Sequence, residues 1–208
     1  MSRWVGRANV AKRLAPLEGS PGRTVYADGA ARLESESGTI VARPPFGLRH
    51  RAEYDVVRVG PLLEEIGQNR RVGAVLVRLG GHAVGVFEGE RLVTSKVGQR
   101  LVHGRHRAGG SSANRFRRRR EEQARVALLA AAEISARILE PERERLDGVA
   151  LGGDRDAIRR MIELRPDLSW LDELSLKRFF TVPDPRRAVL ERLSYDIYAV
   201  ELTETPAH

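Results

Sequence analysis

From Val72 the chain runs VGAVLVRL, then Gly80-Gly81, then HAVGVFEG to Gly89, then RLVTSKVGQRLV from Arg91 to Val102. Apolar, β-branched runs of strand length broken at glycine-bearing turns predict three adjacent antiparallel strands. A meander of this kind has a face that must be covered, so it demands a second layer. The following residues supply one. Phe116, Gln123, Ala127, Ala131, Ile134 and Ile138 recur at spacings of three, four and seven, which predicts one face of a long helix ending near Leu139. Ser111 or Ser112 suits its N-cap, and Pro141 stops it.

Beyond that helix, GVALGG (residues 148–153) reads as a short buried strand, and Asp154 as the cap of a helix running to about Leu164. Lys177 to Val182 reads as a strand, Asp184 to Leu193 as a helix and Tyr195 to Leu202 as a final strand. Strands alternating with helices after a meander predict an α/β fold: a mixed sheet with packed helices and one long helix after a loop. The first 60 residues are less regular. Short strands are expected at Arg23–Ala27, Gly38–Ala42 and Tyr54–Val59, and a short helix at Pro61–Ile66. Residues 1–66 therefore read as an N-terminal extension that packs on or completes a core built by residues 67–208.

The chain has no cysteine, which removes disulfides and thiolate metal sites and agrees with a reducing cytoplasm. The start, MSRWVGRANVAKRL, lacks an apolar stretch of signal-peptide type, and no apolar run approaches the roughly 20 residues of a membrane span. A cytoplasmic monomer without membrane contact is expected. The net charge is +8 and the pI about 10.6, which favours an anionic partner, nucleic acid first. Lysine occurs only at Lys12, Lys96 and Lys177. Codon usage in a GC-rich genome accounts for much of that arginine excess, but not for where the arginines sit. Between Arg91 and Arg125 stand 11 basic residues and 2 acidic ones, so the basicity is local. A local basic patch is the electrostatic footprint of nucleic-acid binding.

Inside the patch lies GRHRAGGSSANRF, Gly104 to Phe116, followed by four further arginines to Arg120. Its first half has almost no apolar residue. Gly109-Gly110 permits close backbone approach to a ligand, and the positive end of the helix that follows favours anions and developing negative charge. This segment resembles the loop G-K-H-R-A-G-G-Q-S-A-x-R-F in the middle domain of archaeal and eukaryotic class-1 release factors. Eleven of thirteen positions agree; Arg105 and Ser111 depart. The resemblance extends from Arg71 to about Gly153 and includes the order of elements. It is nearest to the stand-alone, Vms-like release factors of ribosome quality control, whose bacterial members occur in high-GC lineages.

The resemblance implies hydrolysis of the ester between a nascent peptide and the 3′ end of tRNA, with the large-subunit rRNA and peptidyl-tRNA as partners and no metal or organic cofactor. It implies that Gly109 and Gly110 shape a thin loop, and that a backbone N–H at Ser111 stabilises the oxyanion or the leaving 3′ hydroxyl. Arg105, His106, Arg107, Arg115, Arg117, Arg118, Arg119 and Arg120 would hold RNA. Where the family has glutamine this chain has Ser111, which presents no amide side chain to water. Three readings stay open: the Ser111 main chain suffices; Gln99, His103 or His106 compensates; or the loop binds tRNA without cutting. The chain length leaves no room for a stop-codon-reading domain plus a partner-binding domain, so codon-independent action on stalled or split subunits is the expectation. A divalent-ion nuclease using Asp154 and Asp156 is a rival, although both residues open a helix and suit capping. Trp4 and Trp170 are expected to pack in a core or interface, with base stacking as the alternative.

Overall fold

The computed structural model describes residues 2–78, 80–99 and 112–207; the side chains of residues 112–114 and 116 are not described. In chain order its elements are β1 (Ser2–Val5), α1 (Arg7–Leu14), β2 (Pro21–Ala27), β3 (Ala30–Ser35), β4 (Gly38–Arg43), β5 (Ala52–Val56), α2 (Gly60–Gly67), β6 (Arg71–Arg78), β7 (Gly81–Glu88), β8 (Arg91–Gln99), α3 (Ser112–Leu139), β9 (Gly148–Gly153), α4 (Arg155–Leu164), α5 (Trp170–Glu173), α6 (Arg187–Ile197) and β10 (Val200–Pro206). They form two compact units. One comprises Met1–Asn69 with Ser194–His208, the other Arg70–Leu193.

The first unit is a wholly antiparallel sheet in the order β1-β10-β4-β3-β2-β5. Asp28-Gly29 joins β2 to β3 with φ of 51° and 72°, the positive-φ pair that a type I′ hairpin turn requires. Val10 and Leu14 of α1 and Leu62 and Ile66 of α2 bury against Tyr26, Leu33, Ala42, Val200 and Leu202. These residues are thus a core of their own rather than an extension completing another one. The last strand departs from the expected division: β10 pairs with β1 and β4 in this sheet, not with the meander.

The second unit carries the expected mixed sheet, in the order β8-β7-β6-β9. Strands β6, β7 and β8 form the meander, with Gly80 at φ 95° in the first turn, and β9 runs parallel to β6 from the Val72–Gly148 pair. Helix α3 lays Leu128, Ala131, Ala132 and Leu139 on Val75, Val77, Val84 and Val86, while α4 adds Ile158, Met161 and Ile162. Burying each such branched side chain contributes about 1.5–3 kcal/mol. Gly73 leaves room for this layer: a Cβ there would stand 3.2 Å from Leu139 and Leu146. Trp170 is a core residue, with its indole N–H donating to Glu140 Oε2 at 3.1 Å, whereas Trp4 is exposed.

Three expectations need correction. The buried stripe of α3 is Ala124, Leu128, Ala131, Ser135 and Leu139, one position round from the face the spacing suggested. Ser135 is tolerated there because its hydroxyl donates to the Ala131 carbonyl at 2.8 Å. Residues 177–182 are no strand; this stretch and Ser175 make only isolated parallel bridges, Ser175 to Val149 and Phe180 to Gly152. Tyr195 lies in α6, not in a strand, because Leu190, Leu193 and Ile197 follow one helical face and are all buried.

Candidate nucleic-acid interface

Helix α3 is far longer than the sheet it covers. Its 28 residues span about 42 Å at 1.5 Å per residue, against about 26 Å for the eight residues of β7. The excess falls at the N-terminal end. Ala124 is the first buried residue in α3 among those described; before it, the described side chains from Arg115 to Gln123 are exposed or half-buried. Polar, charged sequence dictates this: Arg115 to Glu122 contains one apolar residue, Phe116.

This stretch carries the predicted RNA-binding arginines. Arg115, Arg117, Arg118 and Arg119 are exposed, and Arg120 is half-buried. Arg117 stands 3.9 Å from Glu121 and Arg125 stands 3.6 Å from Glu122, between side chains that are all more than half exposed. Such pairs contribute only a few tenths of a kcal/mol and release a cation readily. Among the described residues, Arg115, Arg118, Arg119 and Arg120 have no carboxylate partner. The positive end of the helix macrodipole adds to this field.

Strand β8 ends at Gln99 and α3 begins at Ser112. Arg105, His106, Arg107, Gly109, Gly110 and Ser111 lie outside the described residues, as does His103. The β8 end is fixed by a residue that sequence reading did not single out. His82 pairs with Gly98 and is 7% exposed. Its ring lies over Gly98, in a corner lined also by Val77, Arg78, Ala124, Ala127 and Leu128. The signal was present: in HAVGVFEG, His82 shares its alternate face with Val84 and Val86, both core residues.

The charge follows the division into units. The first unit has 10 basic and 11 acidic residues, the second 26 and 17. Asp154 acts as a cap, its Oδ1 accepting from the backbone N–H groups of Asp156 (2.9 Å) and Ala157 (3.2 Å). Among the described residues, no three His, Asp or Glu side chains cluster as metal ligands. No helix among them is long and apolar enough to cross a membrane.

A family model described as the Actinobacteria/chloroflexi VLRF1 release factor, acVLRF1, matches residues 70–203. This chain belongs to that family. Peptide chain release factor subunit 1 of Archaeoglobus fulgidus is 29% identical over 93 residues, covering 45% of this chain and 23% of that protein. The chain thus spans about a quarter of the length of that relative. Among solved structures, archaeal translation termination factor aRF1 aligns with a TM-score of 0.47 at 13% identity, over 93% of this chain and 73% of the other. A structure described as "Archaeal protein" aligns with a TM-score of 0.42 at 19% identity, over 89% and 51%. The family is thus one of release factors.

Proposed function

We propose that the chain hydrolyses peptidyl-tRNA independently of any codon, on stalled or split large ribosomal subunits. What carries this reading is the exposed arginine rod at the head of α3, preceded in sequence by Gly109-Gly110, in a chain of release-factor family. Arg115, Arg117, Arg118, Arg119 and Arg120, with Arg105, His106 and Arg107, hold rRNA or the tRNA acceptor arm. Gly109 and Gly110 keep the loop thin enough to reach the ester. Water attacks the ester carbonyl carbon, the bond to the tRNA 3′ oxygen breaks, the peptide leaves as a carboxylic acid and the 3′ oxygen takes a proton. The Ser111 N–H stabilises the developing oxyanion or the leaving oxygen, a task independent of side-chain identity. No metal or organic cofactor enters this scheme.

A second reading follows from Ser111 itself. Without the glutamine amide the same loop would bind tRNA silently, as a module of the large subunit. Purified ribosome–nascent-chain complexes separate the two. Release by the wild-type chain that persists in EDTA and is abolished by Gly109→Ala and Gly110→Ala supports hydrolysis. Salt-sensitive binding with no release supports the silent module. EDTA-sensitive RNA cleavage removed by Asp154→Asn would replace both with a nuclease.

A further inference from the structure

Helix α4 carries cations on both flanks. Arg160, with Glu163 and Leu164, lines a groove shared with Arg118, Glu121, Glu122 and Arg125 of α3. On the other flank, Arg155, Ile158 and Arg159 face residues 175–179 across a separate cleft of about 260 Å³. Its apolar floor is Leu151, Ile158 and Phe179, its rim holds Arg155, Arg159, Lys177 and Arg178, and Asp172 is its one carboxylate. Arg159 is engaged with Asp156 at 3.0 Å and Glu163 at 3.8 Å along its own helix. Arg155 and Lys177 have no carboxylate partner among the described residues.

The cleft also offers flat surfaces. The Arg155 guanidinium lies 4.2 Å from the centre of the Phe179 ring, and that of Arg178 lies 5.0 Å from Phe180. A guanidinium seated on an aromatic ring is held in a plane and presents its outer face for a further stacked layer. Nucleobases have such π faces, and acidic peptide side chains do not. The cleft is smaller than the roughly 300–1,000 Å³ of pockets that enclose a free small ligand, so it suits one unit of a longer chain.

From the cation rim, the seat of Arg155 over the Phe179 ring and the small open volume, we infer that this cleft binds single-stranded RNA, one base stacking on Arg155 while Lys177 holds its phosphate. The contact is separate from the α3 rod and does not rest on the hydrolysis reading. It gives the second unit a second hold on RNA.

The test uses the full chain with Arg115, Arg117, Arg118, Arg119 and Arg120 changed to Gln, so that the rod is silent. A fluorescent single-stranded RNA dodecamer is titrated by anisotropy at low salt. Residual, salt-sensitive binding is expected. Loss of a stacked base costs about tenfold in affinity, so Arg155→Ala and Phe179→Ala should each weaken binding by that order. Lys177 is exposed, and Lys177→Glu should weaken binding as well without affecting the fold. The proposal is overturned if the rod-silent chain does not bind the RNA, or if correctly folded Lys177→Glu and Arg155→Ala chains bind it unchanged. It is overturned in favour of a protein ligand if polyglutamate of matched charge binds as tightly as RNA and is lost with the same variants.

Discussion

The imidazole of His82 lies across Gly98, with Cε1 and Nε2 each 2.5 Å from where a Cβ on Gly98 would stand. The two residues are register partners on β7 and β8, and Gly98 stands one residue before the end of β8. Gly98→Ala must therefore push the ring toward Ala124 and Leu128 or push β8 away from β7. Overpacking of this kind costs about 1–3 kcal/mol. We expect a lower urea midpoint for Gly98→Ala and slower release from ribosome–nascent-chain complexes at saturating protein. The double variant Gly98→Ala/His82→Ala should regain release relative to Gly98→Ala. A single variant with wild-type stability and wild-type release would show that the corner does not set the loop.

Neutralising the rod should change RNA affinity and leave the fold alone. Gln is close to Arg in helix propensity, and Arg117, Arg118 and Arg119 are exposed. Each lost phosphate contact lowers the salt slope of binding by about 0.7–0.9. Changing Arg117, Arg118, Arg119 and Arg120 to Gln should thus reduce the slope of log K against log salt for large-subunit binding by about 3. Unfolding midpoints should stay at the wild-type value. A slope that does not move would put the RNA contact elsewhere.

The meander and α3 could be read in advance because β-branched runs, a Gly-Gly turn and a Ser-to-Pro bounded stretch are local signals. The buried face of α3 was missed by one position because the true stripe, Ala124-Leu128-Ala131-Ser135-Leu139, is poor in large apolar residues. Ala131 is common to both faces, and Ile134 and Ile138 flank the buried stripe as partly buried neighbours. Strand β3 was missed although Asp28-Gly29 announces its hairpin; Ala30-Ala31 has little strand propensity and hid it. Strands β1 and β10 pair from opposite ends of the chain, Ser2 with Thr203, and no local period encodes such a partnership. The loop residues stood out by motif alone. The inward face of His82 was signalled by its alternation with Val84 and Val86, but its contact with Gly98 and the α4 cleft were not, because each exists only once register and packing bring distant residues together.

The 3-10 turn that follows α3, Glu140–Arg145, is tied to the start of β6 by Arg71 and Glu142. Arg71 Nε donates to Glu142 Oε2 at 2.9 Å, and the two side chains are 15% and 19% exposed. The hydrogen bond from Arg71 holds the Glu142 carboxyl below its ordinary value of 4.5. A lowered folded-state value means that this stabilisation is complete above the ordinary value and is lost as the pH falls through the folded one. Glu142→Gln should cost about 1–3 kcal/mol at neutral pH. That deficit should shrink below pH 4.5, where the wild type loses the same charge. A deficit independent of pH would mean that packing, not the ion pair, makes the tie.

Tyr26 sets the opposite limit in the first unit. It is 2% exposed, its hydroxyl donates to the Arg58 carbonyl at 2.6 Å, and burial pushes its pKa up from 10.0 to about 12. A raised folded-state value means that stability is intact below pH 10 and is lost as the pH climbs toward 12, because the unfolded chain gives up the proton first. The loss approaches roughly 2 kcal/mol at the upper end. Tyr26→Phe removes the proton from this linkage but also removes a hydrogen bond, at a cost of about 1 kcal/mol. The wild type should therefore be the more stable of the two at pH 8, and the order should reverse between pH 10 and 12. Urea midpoints at several alkaline pH values measure this directly, and two parallel curves that never cross would refute the buried-phenol explanation.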